Sequence, residues 1–347
     1  MNSRQHDQGE TFFLNLRFLL ILCVFVGNAI EPLLTQVAPM QQLYQWIFTF
    51  HMPLFVWVTG YFAKSSLSGG KGKQVLLQIA VQYVIFQSVY SILDQLVFQV
   101  PHIHRSFFAP YLLLWFLASH FCWRLLLLGM QRLGLVPAVQ IAVSALLGVL
   151  VGYLPVEGIW LSVSRTFVFL PFFMLGYHLS YAKIARWLTP GRRLAAGSTS
   201  AALLLFSGLL FSKIPAGWLY GSMTFGQLGH HEWFAGVYRI GVYGLQAGCS
   251  IAFIGLVPLA AGAVTEMGRR TLYVFLLHGL IIRAAAASGM YNSIYTAAGA
   301  AAVIAGAVLM TLLLTQRPVR RAVHLVIEPE VGRLAGWIRI PARHSAS

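Results

Sequence analysis

Apolar positions along this chain come in long stretches, without the period-two alternation that marks a half-buried strand. Stretches long enough to cross a bilayer as helices fall at residues 12–30, 43–63, 75–99, 110–130, 135–153, 164–182, 194–212, 239–260, 270–287 and 291–315. In hydrocarbon every backbone polar group must be paired inside its own segment, so runs of this length and character are read as helices. The pattern predicts an all-α fold: a polytopic integral membrane helical bundle of about ten transmembrane helices, with both termini on one side. One membrane domain fills 12–315, preceded by a short segment, 1–11, and followed by a basic tail, 316–347. Gln316-Arg-Pro breaks the last helix, and the tail offers either a short interfacial helix over 329–339, with Leu334 and Trp337 toward lipid, or a solvated basic strip.

Composition agrees with this class: 58% of the 347 residues are apolar and only 10% charged, with a mean hydropathy of +0.72. A soluble domain has about a quarter of its residues charged. With the N-terminus inside, 18 of the 24 lysines and arginines fall in cytoplasmic segments, while the opposite loops hold only Arg105 and Lys213. That bias predicts a multi-pass protein of the cell membrane with both termini cytoplasmic. The net charge of +15 is then explained by topology and by attraction to anionic membrane lipid, with no need of a nucleic acid. The first run is interrupted by Arg17 and has no small-residue cleavage site before Glu31, so it reads as a retained span, not a signal peptide. Cys23, Cys122 and Cys249 lie in apolar runs without metal-ligand spacing.

The chemistry lies in the polar residues inside the runs. Arg17 and Asn28 are eleven positions apart in the first span. At about 100° per residue they return to within about 20° of one another, roughly 16 Å apart along the axis, so both line one helix face. Such groups usually face a protein interior or a watery cavity. His51 lies too deep in the second run to reach water easily; Arg165 opens the sixth span, and Arg283 is placed to snorkel from the ninth. His102-Ile-His104 and His230-His231-Glu232 fall on outer loops, but adjacent histidines do not normally converge on one ion, and no metal is expected. The second cluster, with Trp233, suits either a sugar ring or a plain loop.

Four segments carry a resemblance: Phe12 to Pro32; Phe50-His-Met-Pro-Leu-Phe-Val-Trp-Val-Thr-Gly-Tyr-Phe62; Ser164-Arg-Thr-Phe-Val-Phe-Leu-Pro-Phe-Phe-Met-Leu-Gly-Tyr177; and Gly268-Arg-Arg-Thr-Leu-Tyr-Val-Phe-Leu-Leu-His-Gly279. Leu114-Trp-Phe-Leu117 with Trp123-Arg124 is a weaker fifth. In this order they resemble the membrane-bound acyltransferase family 3, particularly its fucose 4-O-acetylase-like branch. The resemblance implies an integral membrane enzyme that moves an acyl group, commonly acetyl from acetyl-CoA, to a hydroxyl of a cell-surface carbohydrate or lipid-linked glycan. In the family a basic residue in the first span is followed eleven positions later by a catalytic histidine. Arg17 matches the basic position, and Asn28 stands where the histidine would be.

A carboxamide cannot act as general base on a sugar hydroxyl. Three readings follow. His51 becomes the base while Asn28 orients acceptor or thioester; or transfer is lost and binding retained; or the protein moves a glycan or lipid without modifying it. On the first reading the expected roles are His51 as base, Asn28 or Arg165 as oxyanion donor, and Arg17 with Lys64, and possible help from Lys71 or Lys73, on the acyl-CoA phosphates.

Overall fold

A computed structural model of the protein describes residues 3–67, 72–98, 106–155, 160–211 and 214–332. His102, His104, Lys71, Lys213, Leu334 and Trp337 lie outside the described residues, and with them most of the expected 329–339 helix. The described chain is all-helical. In chain order the helices are α1 (Ser3–Ile30), α2 (Ala38–Leu67), α3 (Gly72–Leu96), α4 (Trp115–Arg132), α5 (Pro137–Leu150), α6 (Val163–His178), α7 (Tyr181–Trp187), α8 (Pro190–Leu205), α9 (Ser207–Leu210), α10 (Ala216–Tyr220), α11 (Gly236–Ile254), α12 (Ala263–Gly268), α13 (Thr271–Ala287), α14 (Ala297–Leu314) and α15 (Arg317–Ile327).

Among the described residues, seven helical segments are long and apolar enough to cross a membrane: His6–Leu33, Ala38–Ser66, Gly72–Leu96, Leu112–Arg132, Trp160–His178, Gly236–Ile254 and Ala297–Leu314. Pro137–Tyr153 and Thr271–Ala287 are shorter apolar helices. The expected seventh span, 194–212, is instead two helices, α8 and α9, broken at Phe206, where the backbone leaves the helical region. Helix α1 begins at Ser3, so the described part of the expected 1–11 segment is continuous with the helix of the first apolar run.

Helices α1 and α2 form the centre of the bundle. The windows that make them spans are 72% and 67% buried, against 17% for the α14 span on the periphery. Close approach of α2 and α6 requires two glycines. A Cβ on Gly60 would lie 2.1 Å from the Phe173 carbonyl oxygen, and one on Gly176 only 1.9 Å from the Trp57 carbonyl oxygen, so each helix presses its backbone onto the other. Gly268 does the same at the end of α12, where a Cβ would meet the Leu14 carbonyl oxygen at 2.2 Å. This contact holds Thr271 against the Arg17 level of α1.

Pro171 lies inside α6 and cannot donate to the preceding turn. Side chains from neighbouring helices bond the carbonyls on either side of Phe167, the residue whose carbonyl Pro171 leaves without its helical donor: the Trp123 indole donates to the Thr166 carbonyl at 2.7 Å, and the Tyr243 hydroxyl to the Val168 carbonyl at 2.8 Å. These bonds tie α6 to α4 and α11 next to the proline.

Candidate functional site

Two cavities lie one above the other along α1. The first, of about 610 Å³, lies beside the start of α13 and the residues that follow α15. Arg17 lines it from α1, Thr59 and Phe62 from α2, Gln78 and Gln82 from α3, His120 from α4 and Thr271 from α13, and Glu328–Gly332 close its rim. The Arg17 Nε donates to the Thr271 hydroxyl, which itself donates to the Gly268 carbonyl at 3.3 Å. One guanidinium edge is thereby fixed, and the group lies 5.9 Å from the Phe62 ring centre. Across the cavity, Arg124 donates from Nε to His120 at 2.9 Å and from Nη1 to Ser66 at 2.7 Å.

The second cavity, of about 490 Å³, gathers Asn28 and Glu31 from the end of α1, Tyr44 and His51 from α2, Arg165 from α6, Tyr220 from α10 and His278 and Arg283 from α13. The three residues common to both cavities are Phe55, Phe116 and Phe275. Their rings meet edge to face, with centroids 5.3 Å apart for Phe55 and Phe116 and 5.4 Å for Phe116 and Phe275. An aromatic constriction therefore separates the Arg17 cavity from the Asn28 cavity.

Two buried histidines face the second cavity, and their tautomers follow from their partners. His278 Nδ1 lies 3.0 Å from the Val274 carbonyl oxygen and 2.8 Å from that of Phe275. A carbonyl only accepts, so Nδ1 carries the proton and Nε2 presents its lone pair. The Asn28 Nδ2 donates to that lone pair at 3.3 Å. His51 is held in the same way, its Nδ1 donating to the Ile47 carbonyl at 2.8 Å. Among the described residues no protein group takes the His51 Nε2. The two rings thus differ: His51 offers an open acceptor, whereas that of His278 fixes the Asn28 amide.

Arg165 stands at the start of α6, just after Leu161 and Ser162, which both take the left-handed backbone conformation (φ 52° and 49°). Its guanidinium lies over the Trp115 ring at 4.9 Å, and no carboxylate pairs with it among the described residues. Nearby, the Tyr44 and Tyr220 hydroxyls are 2.9 Å apart. Arg283 does not snorkel: it is ion-paired to the buried Asp94 at 3.3 Å, bonds the Tyr111 hydroxyl and lies 5.6 Å from that ring. Removing one partner of such a pair leaves a buried charge alone, a loss of about 3–5 kcal/mol.

Of the residues singled out in the sequence, Asn28, His51 and Arg165 thus share one cavity. Arg17 lies in the other. Lys64 lines neither; its Nζ donates to the Leu179 carbonyl at 2.7 Å and lies over the Tyr61 ring. Arg239 is buried away from both cavities, donating to the Trp218 carbonyl at 2.7 Å. His230 pairs with Glu232 at 3.5 Å beside Trp218, and no cluster of three metal-ligating side chains occurs among the described residues. The residue that sequence reading missed is His278. It lies in Gly268–Gly279, and its signal was that of His51: a lone imidazole in the middle of an apolar run.

Comparison of the chain with protein-family models, with curated proteins and with solved structures gives no match.

Proposed function

We propose that this protein is an integral membrane O-acyltransferase, moving an acyl group, commonly acetyl, from acyl-CoA to a hydroxyl of a cell-surface or exported carbohydrate. The observation that carries this reading is the pair of stacked cavities, one with a fixed arginine and the other with an open imidazole acceptor, joined at three phenylalanine rings. With both termini cytoplasmic, as the distribution of basic residues favours, the donor enters the Arg17 cavity and the acceptor enters the Asn28 cavity. The apolar constriction admits a thioester and a short acyl group but disfavours phosphate or sugar.

Chemically, the acceptor hydroxyl oxygen attacks the thioester carbonyl while His51 Nε2 takes the hydroxyl proton. The carbon–sulfur bond then breaks, the thiolate of CoA takes that proton back from the imidazolium, and an O-ester is left on the acceptor. The developing oxyanion needs donors already in place. Asn28 supplies its second amide hydrogen, with the first anchored on His278, and Arg165 supplies a guanidinium edge. Glu31, Tyr44 and Tyr220 at the other end of the cavity suit hydroxyl-rich rings. Asn28 has a role here that needs no titration.

Mass spectrometry of surface glycans from cells with the gene, without it, and carrying His51→Gln tests the assignment. A mass equal to one acyl group, present only with the intact gene, is expected. Identical glycan structures in all three, with only their amount changed, would replace transfer by transport.

A further inference from the structure

Outside both cavities, α15 carries a compact set of basic residues. Arg317, Arg320, Arg321 and His324 recur at i, i+3, i+4 and i+7 and so form one row on the helix. Ile327, one turn beyond His324, is fully buried, and the Ile327 carbonyl accepts from Gln82 at 2.7 Å, which fixes the end of α15 to α3. The basic row does not stand alone. Together with Glu266 of α12 and Arg270, which precedes α13, it encloses a bowl of about 630 Å³.

Only two of the four arginines there have carboxylate partners: Arg270 meets Glu266 at 3.4 Å, and Arg320 meets Glu328 at 3.7 Å. Arg317 and Arg321 are exposed and have none among the described residues. The Arg320–Glu328 pair is also a shared wall, because Glu328 lines the rim of the Arg17 cavity. A concave cluster of guanidinium groups, two of them free of carboxylates, suits a ligand with several phosphate oxygens, which planar forks engage two at a time.

We propose that the α15 bowl binds the phosphorylated nucleotide end of the acyl donor, whose pantetheine arm then enters the neighbouring Arg17 cavity. This rests on the acyltransferase reading for the donor's identity, but not for the existence of a phosphate site. A basic helix lying flat on anionic lipid would serve equally without Arg270 and Glu266 facing its charged row. The enclosure by α12 and α13 favours a soluble, polyphosphorylated ligand.

The test is direct binding to the purified full-length protein in nanodiscs of neutral phosphatidylcholine, comparing CoA with dephospho-CoA. Arg317→Ala with Arg321→Ala removes two exposed cations and leaves the ion pairs in place. The wild type is expected to bind CoA at least about tenfold more tightly than dephospho-CoA, with most of that preference lost in the double variant and the affinity falling steeply with salt. Equal CoA affinity in wild type and variant would overturn the proposal. So would retention of phosphatidylglycerol by native mass spectrometry that depends on these arginines while CoA binding does not, since the bowl would then hold a lipid headgroup. Bowl-dependent CoA binding without any acyl transfer would sustain this site and remove the enzymatic reading; no CoA binding by the wild type would remove both.

Discussion

Replacing His51 by glutamine separates chemistry from architecture in the second cavity. The ring makes one protein hydrogen bond, from Nδ1 to the Ile47 carbonyl at 2.8 Å, and glutamine can keep a donor near that carbonyl. A neutral bond of this kind contributes about 0.5–1.5 kcal/mol, so His51→Gln should leave the melting temperature within a few degrees of wild type. What the substitution removes is the open Nε2. Loss of a general base typically costs about 10²–10⁴ in rate, which is roughly 2.7–5.4 kcal/mol in the barrier. The corresponding change at His278 should act differently. His278→Gln can likewise keep a donor near the Val274 and Phe275 carbonyls but takes the ring acceptor from the Asn28 amide, so it should loosen Asn28 and reduce transfer by only about tenfold. The assay is acyl transfer by protein reconstituted in liposomes, with acyl-CoA supplied on one side, alongside thermal unfolding of each variant. Undiminished transfer by folded His51→Gln would refute its role as base. A large rate loss confined to His278→Gln would move that role to His278.

Four further outcomes are expected. Asn28→His should lower transfer by about tenfold, because an imidazole cannot both donate to His278 and offer a second donor; higher activity would mark position 28 as a decayed base instead. Phe116→Leu should widen the constriction and raise propionyl relative to acetyl transfer by about tenfold, the scale of one methylene in an apolar slot, measured with paired acyl-CoA donors; an unchanged ratio would count against a path past these rings. Arg17→Ala should weaken acyl-CoA binding by about 1.5–3 kcal/mol in direct titration, with Arg17→Lys recovering only part. Gly176→Ala should destabilise the bundle by at least about 1–3 kcal/mol, since its new methyl would sit 1.9 Å from the Trp57 carbonyl oxygen, whereas Gly191→Ala, with nothing within 4 Å, should be neutral in thermal unfolding.

By itself the sequence determined the class of this protein. Apolar runs of bilayer length and a charged fraction of 10% pointed to an all-helical membrane bundle, because hydrocarbon tolerates no unpaired backbone and little charge. Helical periodicity also put Arg17 and Asn28 on one face of α1, since that depends only on 3.6 residues per turn. The number of spans was less legible. Residues 194–212 carry no charge, yet the chain breaks at Phe206, and hydropathy does not register a local turn. Only the tertiary structure decided the neighbours. It placed His278, distant by 250 positions, on the Asn28 amide, set three phenylalanines from α2, α4 and α13 between two cavities, and turned Lys64 to a backbone carbonyl outside both. Every such contact joins different helices, and their relative rotation and depth are fixed by close approaches such as Gly60 to Phe173 and Gly268 to Leu14. Hydrophobicity drives a segment into the membrane without specifying which face meets which partner; packing at these glycines makes that choice.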